Sequence, residues 1–190
     1  GDDIINTGLN TRNGDRIIAS DGNDRIVFEA PDGTNVSGFT LDYDRISAPV
    51  TFDINGTTNS ATVTGPGFVD QLENVNDALD FYLGLEGTVG ADTYSTRLEP
   101  EQVVAVLGGG GADSYSIAAD GAIPILDFLF SNATAGLDFN IGTDLIANDG
   151  FGFAETVEIT GTPDRLIVIG TNLDDRITDG AEDQLVRLFG

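Results

Sequence analysis

The sequence contains no cysteine, histidine, methionine, tryptophan or lysine, and all eight of its basic residues are arginine. Without cysteine or histidine the chain has no ligands for a typical transition-metal site and is left with weak, all-carboxylate alternatives. The same absence excludes a Ser-His-Asp triad and a Cys-His pair. Any chemistry must therefore come from carboxylates, hydroxyls, amides, guanidinium groups and the backbone.

Positive charge is also scarce, because 32 acidic residues give a formal net charge of −24. Such a chain repels phosphates, so nucleic acid is not an expected partner. Aspartate outnumbers glutamate 24 to 8. Aspartate favours turns and brings its carboxylate close to the backbone, which suits a hard cation bound in a turn. The alternative interpretation is an acidic, solubilised surface of the kind found in halophiles.

Long apolar runs are missing as well. No segment approaches the roughly 18 apolar residues that a membrane span needs, and we expect none. The 40% hydrophobic content is nevertheless too high for a disordered polymer. The chain begins at Gly1 without an initiator methionine or a signal-peptide pattern. We therefore expect it to be an excised or processed piece of a longer protein.

One pattern recurs nine times: an aspartate stands two residues before a large apolar side chain, usually after a glycine or another small turn residue. Its clearest copy, residues 108–116, has the form G-G-x-G-x-D-x-U-x, in which U is large and apolar. Because side chains alternate along a strand, the apolar residue is expected to point into the core. These inward positions are Ile5, Ile17, Ile26, Tyr82, Tyr94, Tyr115, Leu166, Ile177 and Leu185.

Two longer segments also resemble each other. They begin at Leu41-Asp42-Tyr43 and at Leu126-Asp127-Phe128, and each is followed by two aspartate units. This periodicity predicts a solenoid with repeat units of approximately 1–89 and 90–172 and the start of a third at 173–190. Short apolar runs bounded by glycine, asparagine or aspartate predict strands. Residues 69–83 favour a loop and a strand over a helix, and residues 98–102 favour a single helical turn begun by Pro100.

The aspartate units and the inserts between them resemble the RTX family, the hemolysin-type calcium-binding repeats of secreted bacterial proteins. The resemblance implies an all-β fold, a parallel β-roll or β-helix with calcium in its turns, and type I secretion. Only residues 108–116 have the complete glycine set, and the units at Asp80 and Asp164 lack the glycine turn. Fewer calcium ions than units are therefore expected, since some aspartates serve only as turn formers.

Calcium is the predicted cofactor, because stacked turns offer six to eight carbonyl and carboxylate oxygens. Glycines allow the turn geometry and the approach of the carbonyl groups. The candidate ligand positions are Asp3, Asp15, Asp21, Gly22, Asp24, Asp80, Gly90, Asp92, Gly108, Gly110, Gly111, Asp113, Asp164, Asp175 and Asp183.

The tripeptide Asp-Arg-Ile occurs at 15–17, 24–26, 44–46 and 175–177. Its arginines are expected to point outward and to compensate acidic neighbours on adjacent strands, with a ligand-binding arginine ladder as the alternative.

These features favour a non-enzymatic, calcium-binding structural module of a large secreted or cell-surface bacterial protein, such as an adhesin, a surface layer, a matrix component or a filament. Calcium would fold the chain outside the cell by neutralising its carboxylates. One alternative is a parallel β-helix enzyme such as a polysaccharide lyase or epimerase, for which tyrosines and arginines are the only candidate acid–base groups. Another is the calcium-binding secretion tail of a toxin or protease. An ice-binding solenoid is disfavoured, because no regular Thr-x-Thr ladder appears in the sequence.

The expected partners are calcium ions, further copies of the chain and a cell-surface polysaccharide. If a second copy followed directly, its Asp3 would follow Asp175 at the spacing of two nonapeptides. This register predicts a tandem array or head-to-tail stacking through open sheet edges.

Overall fold

The computed structural model describes residues 1–7, 14–29, 38–128, 133–178 and 186–189. In these residues strands predominate and one short α-helix is present, α1 (Val75–Leu79), so the all-β prediction is confirmed. Two 3-10 turns lie at Gly56–Thr58 and Ile141–Thr143. The strands are β1 (Ile4–Asn6), β2 (Asp15–Ile18), β3 (Arg25–Val27), β4 (Phe39–Asp42), β5 (Thr51–Asn55), β6 (Ser60–Gly65), β7 (Phe68–Glu73), β8 (Leu83–Glu86), β9 (Thr93–Leu98), β10 (Val103–Leu107), β11 (Ser114–Ala119), β12 (Ile123–Asp127), β13 (Asp138–Asn140), β14 (Leu145–Asn148), β15 (Glu155–Thr160), β16 (Leu166–Ile169), β17 (Arg176–Thr178) and β18 (Val186–Phe189).

The strands form two sheets. Sheet A has eleven strands in the order β1-β3-β7-β6-β5-β9-β11-β15-β14-β13-β17. Sheet B has seven, in the order β18-β16-β12-β10-β8-β4-β2, and all of its pairs are parallel. Along the chain, single strands alternate between the sheets except at two inserts in sheet A. Each passage from sheet B to sheet A is called a B-to-A turn below.

Each insert consists of three consecutive strands, β5–β7 and β13–β15, whose middle strand is antiparallel to both neighbours. The first strand of each insert pairs in parallel with the following strand of sheet A, β9 or β17. The third pairs in parallel with the preceding strand, β3 or β11. The chain therefore runs backward across sheet A within each insert.

The resemblance between the two long segments is confirmed at the level of local structure. In both inserts an asparagine, Asn55 or Asn140, precedes a 3-10 turn, and a left-handed residue follows it. That residue is Asn59 with φ 54° in the first insert and Asp144 with φ 54° in the second. Asparagine and aspartate tolerate this conformation better than most residues do.

Alternating burial explains the strands of sheet A. In β9 the side chains of Tyr94, Thr96 and Leu98 are buried, whereas Thr93, Ser95 and Arg97 are exposed. The inward side chains of both sheets join one hydrophobic core. In its centre the rings of Phe52, Tyr94 and Tyr115 stack, with successive centroids 4.8 and 5.0 Å apart. Such stacking follows from the parallel register, which places equivalent side chains on adjacent strands.

Most of the predicted inward positions do face the core. Ile17, Ile26, Tyr94, Tyr115 and Leu166 are buried, while Ile5 and Ile177 are partly buried against the core. Tyr82 is half-buried and precedes β8, and Leu185 lies outside the described residues.

Two local predictions were wrong. Residues 75–79 form a helix instead of a loop, since Val75, Ala78 and Leu79 recur at helical spacing and all three are buried. Residues 98–102 do not form a helical turn. Leu98 ends β9, and Glu101 adopts a φ of 70°, which is left-handed and ends any helical course at Pro100.

Candidate metal centre

Four of the B-to-A turns have six residues, and each ends in an aspartate that directly precedes a strand of sheet A. They are residues 19–24, 87–92, 108–113 and 170–175, ending in Asp24, Asp92, Asp113 and Asp175. Asp3 precedes β1 at the register position of Asp24. Five of the predicted ligands therefore lie at one edge of sheet A.

The remaining predicted aspartates lie elsewhere. Asp15 opens β2 in sheet B, and exposed Asp164 precedes β16. Asp80 is the C-terminal cap of α1 and is exposed, so it does not form the predicted turn. The turn is absent because residues 75–79 form a helix that buries Val75, Ala78 and Leu79. Asp183 lies outside the described residues.

The carboxylates at this edge form a hydrogen-bonded ladder between strands. In each bond, the carboxylate of one aspartate accepts from the backbone N–H of the equivalent residue on a neighbouring strand. The donor-to-acceptor pairs are Asp3 to Asp24 (2.8 Å), Asp24 to Asp70 (2.9 Å), Val50 to Asp92 (2.7 Å), Asp92 to Asp113 (2.8 Å) and Leu137 to Asp175 (2.8 Å). One oxygen of each accepting aspartate thus satisfies a backbone group where the turn meets the strand.

Within two turns the aspartate also closes its own loop. The Thr88 backbone N–H donates to Asp92 Oδ2 at 2.6 Å, and the Thr88 hydroxyl donates to Oδ1 at 3.0 Å. In the turn at 170–175, the Thr171 hydroxyl donates to Asp175 Oδ1 at 2.7 Å. These bonds are those of a turn-forming aspartate and need no ion.

The glycines that open two of these turns are required by their neighbours. A Cβ at Gly108 would overlap Asp113 Oδ2 and the Tyr115 hydroxyl, and one at Gly87 would overlap Asp92 Oδ2 and the Tyr94 hydroxyl. The corresponding residue of the first turn is Ala19, and there the core residue is Ile26, which has no hydroxyl group. In these three turns glycine accompanies tyrosine and alanine accompanies isoleucine, whereas the fourth turn opens with Gly170 although its core residue is Ile177.

The other predicted turn residues lie in the same stacked turns. Gly22 (φ 132°) and Gly111 (φ 108°) adopt backbone conformations that other residues rarely adopt. A Cβ at Gly90 would crowd Pro49, whereas Gly110 has room for one. Asp21 contributes its carbonyl, which accepts from the N-terminal ammonium at 2.7 Å.

The aspartate pattern missed two further carboxylates, which align with these aspartates across sheet A. Asp70 on β7 extends Asp3 and Asp24, and Glu155 on β15 extends Asp92 and Asp113. We call Asp3, Asp24 and Asp70 the first column, and Asp92, Asp113 and Glu155 the second column. Asp70 and Glu155 occupy equivalent positions in the two long segments that resemble each other. The resemblance between the two segments could therefore have been used to predict both residues.

The second column places carboxyl groups in the core. Asp113 and Glu155 are each 2% exposed, and Asp92 and the nearby Asp149 are also buried. Burial, followed by the charges of Asp92 and Asp149, raises the pKa of Asp113 to about 7. Burial, followed by the charges of Asp113 and Asp149, raises the pKa of Glu155 to about 10. Neither residue forms an ion pair with a described arginine.

Several carboxylate oxygens at this edge have no hydrogen-bond partner. They are Asp149 Oδ2 and Glu155 Oε2 beside the second column, and Asp175 Oδ2 in the last described turn. A buried charged oxygen without a donor or a cation is costly. The available donor atoms are all oxygen, the type that hard cations such as calcium prefer. In the described residues, however, these carboxylates do not bring three oxygens within 4.8 Å of one another.

Another acidic group lies where β4 and β8 of sheet B meet the turn that follows β4. Among the described residues, one group of three carboxylates has oxygens within 4.8 Å of one another, and it consists of Asp42, Asp44 and Glu86. Arg16 already occupies it, with Nε 2.7 Å from Asp42 Oδ2 and Nη2 2.8 Å from Glu86 Oε2. A metal at this position would have to compete with that guanidinium.

The expected outward pairing of arginines is confirmed at three of the four Asp-Arg-Ile tripeptides. Arg16 pairs as described, Arg25 pairs with Glu73 and Arg176 pairs with Asp138.

Comparison with known proteins identifies no relative: no protein-family model, no curated protein and no solved structure matches the chain. In the residues that the structure describes, no helix has the length and apolar character needed to cross a membrane.

Proposed function

We propose that this chain is a calcium-binding structural module of a large secreted or cell-surface bacterial protein, built as a parallel β-roll and without catalytic activity of its own. The alternation of strands between two sheets supports the β-roll, because each turn of the coil then contributes one strand to each sheet. Calcium is proposed to complete the coil at the B-to-A turns.

The observation that carries the proposal is the second column with its unpartnered oxygens. Glu155 Oε2 and Asp149 Oδ2 are buried near Asp113, and no described positive group compensates them. Ion binding that needs deprotonated ligands is coupled to folding and supplies stability in the folded state only. In low calcium these carboxyl groups would have to take up protons or repel one another, and in millimolar calcium outside the cell the ion would replace the protons.

The expected partners remain part of this proposal. Further copies of the chain would extend the sheets beyond their terminal strands, which are β1 and β17 in sheet A and β18 and β2 in sheet B. The outer face of sheet A would meet solvent or a cell-surface polysaccharide.

Thermal unfolding followed by circular dichroism tests the proposal. We expect calcium to raise the melting temperature strongly relative to chelator, and magnesium to raise it much less, since magnesium requires stricter octahedral geometry. The variant Glu155→Gln should lose most of the calcium-dependent rise. Glu158→Gln, an exposed substitution on the same strand, should retain it. An identical melting temperature in calcium and in chelator would contradict the proposal.

A further inference from the structure

A groove of about 440 Å³ crosses the stacked B-to-A turns on the outside of the molecule. It has one acidic end, one apolar end and a floor of bare backbone between them. Its lining residues are Asp44, Glu86, Gly87, Thr88, Val89, Gly109, Gly110, Phe151 and Phe153.

The apolar end is unusual for so acidic a chain. Val89 is 68% exposed and Phe153 is 44% exposed, and Phe151 lies beside them. Side chains of this kind are usually buried, and their exposure together in a concave surface marks an interaction site.

The loop that carries the two phenylalanines is held firmly. Asp149 Oδ1 accepts from the backbone N–H groups of Phe151 (2.8 Å) and Phe153 (3.0 Å). Asn148 Oδ1 accepts from those of Gly150 (2.9 Å) and Gly152 (3.2 Å). Four successive N–H groups are thus bound by two side chains, so the aromatic wall is formed before any partner arrives. A preformed wall lowers the entropy lost on binding.

The acidic end favours a positive charge. Asp44 is exposed, and its carboxylate lies within 4.8 Å of those of Asp42 and Glu86. Arg16 pairs with the other two members of the group, and Arg45 is the further cation whose charge acts on Asp44. Three carboxylates therefore meet two guanidinium groups, within a chain whose net charge is −24. An anionic partner would be repelled.

Together the two ends match one kind of side chain. A lysine or arginine has a long apolar stem with a charge at its tip, and it packs its stem along apolar surface while the charge stays at a polar edge. Gly109 and Gly110 leave the floor open for such a stem. We propose that this groove binds a segment of another protein in which a lysine or arginine is flanked by apolar residues.

Nuclear magnetic resonance titration of the folded chain tests this, in the buffer in which the melting experiment shows it to be folded. The probe is acetyl-Gly-Leu-Lys-Leu-Gly-amide, and the matched peptide carries norleucine in place of lysine. We expect amide shifts concentrated at residues 87–89, 109–110 and 150–153, and binding about tenfold weaker for the norleucine peptide.

Matched variants locate the site. Phe153→Ser should abolish the shifts, whereas Phe81→Ser, with 42% exposure in the native chain but outside the groove, should not. Asp44→Asn should weaken binding, whereas Asp53→Asn, an exposed acid on sheet A, should not. Absence of binding at millimolar peptide, equal binding of the norleucine peptide, shifts spread over the whole acidic surface, or equal effects of the paired variants would each overturn the proposal.

Discussion

The two carboxylate columns occupy equivalent places beside the two inserts, yet their buried carboxylates differ in their hydrogen-bond donors. In the first column, Asp70 accepts from the backbone N–H of Asp24 and, at 2.7 Å, from the hydroxyl of Tyr43. Burial still raises the pKa of Asp70. Both of its oxygens nevertheless have donors, so the protein itself satisfies this carboxylate.

In the second column a tyrosine also donates, since the Tyr115 hydroxyl lies 3.4 Å from Asp113 Oδ2, but one carboxylate oxygen is left without a donor. The residue equivalent to Tyr43 in the second long segment is Phe128, which is also buried but has no hydroxyl to donate. The counterpart of Asp70 is Glu155, whose Oε2 has no partner, and Asp149 adds a further buried charge. The replacement of Tyr43 by Phe128 thus coincides with a buried site in which Glu155 Oε2 and Asp149 Oδ2 have no hydrogen-bond partner. The comparison indicates that hydrogen bonds within the protein stabilise the first column, whereas the second needs a bound cation or protons.

The largest effect is expected for Gly108→Ala. The new methyl group would overlap Asp113 and Tyr115, so we expect a loss of about 2–4 kcal/mol in the free energy of unfolding. Urea unfolding measures it. Gly110→Ala is the control, since a Cβ there meets only ordinary contacts, and its cost should stay below about 1 kcal/mol. Equal losses in both variants would contradict the crowding beside the second column.

The second column should also make stability depend on pH in calcium-free buffer. Because the folded-state pKa values of Asp113 (about 7) and Glu155 (about 10) lie above their ordinary values near 4, the folded chain binds more protons than the unfolded chain. This stabilisation is complete below about pH 4 and is lost as the pH rises through 7 and then 10.

We therefore expect the free energy of unfolding to fall between about pH 5 and about pH 8, because over this interval the folded chain retains protons that the unfolded chain has released. Urea titrations at both values in chelator measure the fall. Glu155→Gln should flatten this dependence and Glu158→Gln should not. A free energy of unfolding that rises over the same interval would show that the second column does not control it.

A smaller effect is expected for Tyr43→Phe, which gives the first column the aromatic residue of the second. Removal of the hydroxyl leaves Asp70 Oδ2 without its donor, at a cost of about 1–2 kcal/mol. Chemical unfolding checks this value. Tyr82→Phe is the control, because the Tyr82 hydroxyl forms no hydrogen bond with a described residue. If the two variants were equally stable, the closure of the first column by Tyr43 would be disproved.

The smallest effect is expected at the surface. Arg25 pairs with Glu73 near the first column, and Arg176 pairs with Asp138 at the far end of sheet A. All four side chains are substantially exposed, so neither Arg25→Gln nor Arg176→Gln should change the free energy of unfolding measurably. A clear loss of stability in thermal or urea unfolding would assign these pairs a role in the columns that their exposure argues against.

Local pattern was sufficient to predict the strands, the inward tyrosines and isoleucines, and the aspartates that end the six-residue turns. Each of these depends on residues within one turn and one strand. The resemblance between the inserts was also visible, because their turn residues retain the same spacing.

The columns themselves were not predictable from the aspartate pattern. Glu155 and Asp70 join them only because each insert runs backward across sheet A, which places its third strand beside an earlier one. Strand order depends on pairing between distant segments. Asp80 fits the pattern and yet caps a helix, since Val75, Ala78 and Leu79 gain more by burial on one helical face. Alternation along the chain cannot reveal such competition.

Terbium luminescence tests the central claim most directly. The chain has no tryptophan and four tyrosines, so light absorbed by tyrosine reaches a bound terbium ion only from nearby rings. Tyr94 and Tyr115 adjoin the second column, and Tyr43 adjoins the first. We predict calcium-displaceable emission that Tyr94→Phe/Tyr115→Phe or Glu155→Gln removes and Tyr43→Phe preserves. Emission that depends on Tyr43 and survives the other substitutions would place the ion at the first column and contradict this account.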